Sequence, residues 1–138
     1  MLAFYRSQHD NQSWVAALTT ILDTCALVIS GIQGVPPRAA RLTFAMARHA
    51  LADLTSVLGA RPQTAGPDRL SDRELERLHR ALVASGITWG SGAACDERLR
   101  SLRRQYEPYA QALSELLLMA LPPWLPPEGA KDNWETTA

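Results

Sequence analysis

PPRAARLTFAMARHALADLTSVLG, residues 36–59, decides the fold. Phe44, Ala47, Leu51, Leu54 and Leu58 recur three and four residues apart, as on one face of an α-helix with about 3.6 residues per turn. Leu42, Met46, Ala50 and Val57 widen that face, and Arg41, Arg48 and Thr55 are expected on the opposite side. Pro36 and Pro37 stand at the start, where a missing N–H costs nothing, and Gly59 marks the end.

The segments on either side carry the same period. Upstream, Trp14, Leu18, Ile21, Leu22, Cys25, Val28 and Ile29 predict a helix that begins near Asp10–Ser13 and stops at Gly31 and Gly34. Downstream, residues 60–70 read as a loop from their Pro, Gly and Asp content. Ser71 and Glu74 make a capping box for a shorter helix, with Leu75, Leu78 and Leu82 inward and Gly86 at its end. ITWGSGAAC at 87–95 connects it to a last helix starting near Asp96. That helix presents Leu99, Leu102, Tyr106, Tyr109, Leu113, Leu116, Leu117 and Ala120, with a kink expected near Arg104 because Pro108 cannot donate to its carbonyl. PPWLPP at 122–127 ends all helix. Four amphipathic segments with short connections predict an all-α fold: an antiparallel four-helix bundle of three long helices and one short one. The domain is expected to run over residues 1–125, with an apolar lead-in at 1–8, followed by a disordered polar tail at 126–138.

Length and composition agree with one globular domain: 138 residues, 46% hydrophobic and 20% charged. The formal net charge is +0, which speaks against a nucleic-acid partner. No apolar run reaches the roughly 18 residues of a membrane span, and the start, MLAFYRSQHDNQ, turns polar too soon for a signal peptide. Cys25 and Cys95 are expected as reduced thiols of a cytosolic protein.

The candidate site residues are few. His49 and Asp53 form an i, i+4 pair at the edge of the apolar face, and Asp23 sits among Thr19, Thr20 and Thr24. If the first two helices pack antiparallel, these three groups converge, either as a metal or small-ligand site or as a polar network that fixes helix register. His9, Asp10 and Asn11 read as a capping cluster and His79 as exposed. Arg98, Arg100, Arg103 and Arg104 suit either an anionic lipid surface or acidic partner, or a solvated helix face. Phe4 and Tyr5 in the lead-in suit a docked surface. Trp124 either lies in a polyproline II ligand or caps the open end of the bundle. Nucleophile elbows, paired carboxylates in apolar settings and phosphate loops are missing from the pattern, so neither an enzyme nor a bound cofactor is expected.

YRSQHDNQSW (5–14), LTTILDTCALVI (18–29), LTFAMARHALADL (42–54) and YEPYAQALSELLLMALPPW (106–124) together resemble the cytosolic C-terminal region of bacterial potassium-channel-like proteins with two transmembrane helices and one pore loop. The resemblance spans most of residues 4–125. It implies a cytosolic domain on the inner membrane that assembles as a homo-oligomer, a dimer or tetramer, beneath the transmembrane pore region of the same polypeptide. The lead-in 1–8 would then follow the second membrane helix. The filter signature T-x-G-Y-G is missing, and TWGSG at 88–92 is no substitute, so this segment by itself is not expected to conduct ions. Besides an assembly domain, a ligand-sensing bundle built on Asp23, His49 and Asp53 stays open.

Overall fold

The computed structural model describes residues 13–129 apart from 63, 65 and 91. Phe4, Tyr5, the His9–Asn11 cluster and residues 130–138 of the expected tail lie outside that range. The described chain is four helices: α1 (Trp14–Ser30), α2 (Arg38–Val57), α3 (Asp72–Ala84) and α4 (Ala93–Leu117). They form an antiparallel bundle. α1, α2 and α4 make the close main-chain packing, and α3 stands further out, docked through Leu75, Leu78 and Leu82.

Helix ends follow the local chemistry. Ser13 caps α1 by accepting from the Ala16 N–H, and its hydroxyl is buried against Met119 Sδ at 3.3 Å. Ser71 caps α3 by accepting from the Glu74 N–H, but only half of the expected capping box forms. The Glu74 carboxylate turns to Arg77, at 2.9 and 3.0 Å, because a guanidinium one turn away is a stronger donor than a neutral amide. α4 starts at Ala93, so Cys95 and Asp96 lie in its first turn, and it runs through Pro108 without ending.

The core centres on Val15, Leu22, Leu51, Leu99, Tyr106 and Leu113, each at most 1% exposed. Tyr106 meets Phe44 edge-on, with ring centroids 5.8 Å apart. One expectation needs correcting: Thr55 was set opposite the apolar face of α2, yet it is buried, as is Thr19 on α1. Each returns its hydroxyl proton to the carbonyl four residues back at 2.7 Å, which removes the cost of burying it. Ile21, on the apolar face of α1, and Leu42, Met46 and Val57, which widen that of α2, are exposed, so the apolar arcs of both helices are broader than the bundle covers. α2 buries only the Phe44, Ala47, Leu51, Thr55 side.

The α1–α2 turn and the α3–α4 connection are stitched by a single antiparallel bridge, Ile32 to Trp89. Gln33 N donates to Thr88 O at 2.9 Å and Gly90 N donates to Gly31 O at 2.7 Å. The Trp89 ring lies against Gly31, where a Cβ would stand 2.7 Å from its nearest carbon. Gly31→Ala is therefore expected to cost about 1–3 kcal/mol by overpacking, read as a lower urea midpoint. An unchanged midpoint would mean that the indole moves aside freely.

Among the described residues, no helix is long and apolar enough to cross a membrane.

Candidate functional site

Asp23, set among the threonines of α1, faces inward. Its carboxylate takes a two-pronged bond from Arg69, at 2.6 and 3.2 Å, and the Tyr106 hydroxyl donates to Oδ1 at 2.5 Å. Arg69 also reaches Glu107 at 3.2 Å and the Pro122 carbonyl at 2.8 Å. Glu107 accepts a second fork from Arg103 at 2.9 and 3.2 Å, and Arg103 continues to Asp68 at 2.6 Å. The side chains of Arg69, Arg103 and Asp23 are 7%, 8% and 10% exposed. Both guanidiniums face the Trp124 ring, 5.7 and 5.8 Å from its centre. A chain of five charges thus ties α1, the 60–70 loop, α4 and the post-helix segment together.

Burial in such a chain is tolerable only because almost every donor is used. Burial works against the Arg69 and Arg103 cations, but the carboxylates around them outweigh it and raise both pKa values above the usual arginine range. For Tyr106, burial is the main cause of a large upward shift, and the facing Asp23 carboxylate adds to it. The phenol is locked as a donor. Asp68 is lowered despite some burial, through the Arg103 bond and the Leu70 N–H. Every member is already satisfied by another, so this network is a clamp rather than a reaction centre.

The three groups expected to converge do not form one site. Asp23 is committed to Arg69 and Tyr106 inside the bundle. His49 and Asp53 pair with each other at 3.3 Å on the outer face of α2, with side chains 80% and 65% exposed. Among the described residues, no group of three His, Cys, Asp or Glu side chains is placed to hold a metal.

The basic turn of α4 also divides. Arg103 belongs to the clamp and is not a surface residue. Arg100 pairs with Asp72 at 3.2 Å, Arg104 pairs with Glu97 at 2.6 Å, and Arg98 donates to Ser30 O at 3.3 Å. An open cleft of about 290 Å³ runs past Arg100, Arg103, Arg104, Asp68, Asp72 and Glu107, and its charges balance. Trp124 packs against the core, as the capping reading expected. Pro126 and Glu128 continue along α3 and are held by Arg77.

A second cleft, of about 720 Å³, lies between α3 and the start of α4, where the sequence suggested only an exposed His79. His79 Nε2 stands 3.1 Å from Asp96 Oδ1, and its ring leans on Trp89 at 5.6 Å. The indole Nε1 of Trp89 is buried with no hydrogen-bond partner among the described residues. The spacing between His79 and Asp96 crosses two elements, so no local motif announces the pair. It joins α3 to α4 across a wide mouth.

The outer face of α2 carries exposed apolar side chains at helical spacing. Leu42, Met46 and Val57 are 61%, 74% and 80% exposed, with Ala39 and Ala50 exposed between them. Comparison with known proteins adds no relative: no protein-family model, curated protein or solved structure matches the chain.

Proposed function

We propose that this chain acts by contact rather than by chemistry, as a helical assembly and regulatory domain on the cytoplasmic side of a potassium-channel-like membrane protein. The observation that supports assembly is the uncovered stripe on α2, with Leu42, Met46 and Val57 all more than half exposed. Large side chains repeating at helical spacing on an outer face suit a second helix. The clamp around Asp23 and Arg69 makes the bundle a firm body on which to mount that stripe.

The channel context rests on the resemblance of the four quoted segments alone. In that setting the bundle continues from the inner pore helix. Self-association would hold pore-forming subunits together, and two packings of similar energy would bias the gate.

Sedimentation velocity over a range of concentrations tests the assembly role. The expected species has two or four times the 15.2 kDa mass of the chain. A monomer at every concentration contradicts the reading. The channel context is tested separately by the genomic reading frame that contains the chain. Two apolar spans and a T-x-G-Y-G filter upstream are expected, and a frame with neither contradicts it.

A further inference from the structure

We infer that the occupant of the α2 outer face is the α2 of a second copy, packed antiparallel about a twofold axis near Met46. This rests on the assembly reading above and adds to it a face, a direction and a register.

The reason lies in how α2 carries its charge. A helix is positive at its N-terminus and negative at its C-terminus, so acids favour the first turn and bases the last. α2 does the reverse. Its first turn holds the exposed bases Arg38 and Arg41, and its last turns hold the exposed acid Asp53. Among the described residues, no side chain caps its N-terminus at Pro37, no acid lies in its first turn and no base in its last. Taken alone, this arrangement opposes the helix's own dipole.

An antiparallel neighbour reverses the sign of each mismatch. With Met46 opposite its symmetry mate, Leu42 meets Ala50, and Val57 reaches past the start of the other copy's helix at Arg38, toward the turn that carries Val35, itself 50% exposed. In that register Asp53 falls opposite Ala39, beside Arg38 and the uncapped N-terminus of the other copy. One pairing therefore covers the large exposed apolar residues of the face and sets acid on base twice. A parallel pairing would set Arg38 on Arg38 and Asp53 on Asp53. The isologous geometry is the usual one for a dimer of identical chains.

His49, which pairs with Asp53 within its own helix at 3.3 Å, lies at the edge of the stripe and leaves one carboxylate oxygen of Asp53 for the neighbour.

The test is charge reversal with two readouts. Arg38→Glu and Asp53→Arg each improve the match between α2 and its own dipole, so each should leave the melting temperature of the dilute chain unchanged or raise it. Each should nevertheless weaken dimerisation by about tenfold or more, since two attractive contacts become repulsive. The double variant should dimerise like the unmodified chain, and so should an equimolar mixture of the two single variants. A dimer indifferent to all of these changes overturns the α2 pairing while leaving assembly through another face. A double variant no better than the singles overturns the antiparallel register. A monomeric unmodified chain overturns both this pairing and the assembly reading.

Discussion

Arg69→Ala is expected to destabilise the domain by about 3–5 kcal/mol, the cost of leaving buried charge without its partner. The guanidinium is 7% exposed and serves Asp23, Glu107 and the Pro122 carbonyl at once. Without it, Asp23 retains only the Tyr106 hydroxyl, and Trp124 loses one of its two cation contacts. The melting temperature should fall by roughly 10–20 °C. A second variant separates lost attraction from stranded charge. Arg69→Met, Asp23→Leu and Tyr106→Phe together remove the cation, the anion and the donor, while Glu107 keeps Arg103. That triple change should cost less than Arg69→Ala alone, since replacing a buried pair with apolar groups is often close to neutral. Urea unfolding of the two variants decides it. A loss below about 1 kcal/mol for Arg69→Ala would mean that water reaches the clamp.

Tyr106 carries the second large effect. It is fully buried, edge-on to Phe44, and donates to Asp23. Tyr106→Ala should cost about 3–5 kcal/mol through the cavity it opens. Tyr106→Phe removes only the donor and should cost about 1–3 kcal/mol. The phenol also makes an alkaline prediction. Its folded pKa lies far above the ordinary value of 10.0, first because it is buried and next because Asp23 faces it. The folded chain thus keeps a proton that the unfolded chain releases. The stability contributed by this group is complete below the ordinary value and is lost as pH rises above it. The expected slope is about 1.4 kcal/mol per pH unit for one group. Urea midpoints between about pH 9 and about pH 12 should fall more steeply for the unmodified chain than for Tyr106→Phe. Parallel curves would show that Tyr106 ionises within the folded protein.

Periodicity made the helices legible, and their ends followed from Ser13, Ser71, Gly59 and Gly86, whose preferences are local. What it could not reveal was which side of a helix faces in when polar residues satisfy themselves. Thr19 and Thr55 look like surface residues and lie in the core because each hydroxyl bonds one turn back. Asp23 sits among threonines in the sequence and is buried because Arg69, 46 residues on, completes it. Arg69 itself sits in a loop that reads as mere connection, and no spacing rule links it to α1. The exposed face of α2 shows in the sequence only as the breadth of its apolar arc. Leu42, Met46 and Val57 have the character of core residues, and the monomer offers them no partner.

That face of α2 is tested most directly by the solution mass of Met46→Glu beside that of the unmodified chain, by light scattering at matched concentrations. Met46 is 74% exposed, so the substitution should leave the fold intact and, at dilution where both chains are monomers, the melting temperature unchanged. The prediction is a dimer or higher multiple for the unmodified chain and a monomer for the variant. Equal masses for the two would contradict it, whether both chains were monomers or both were assembled.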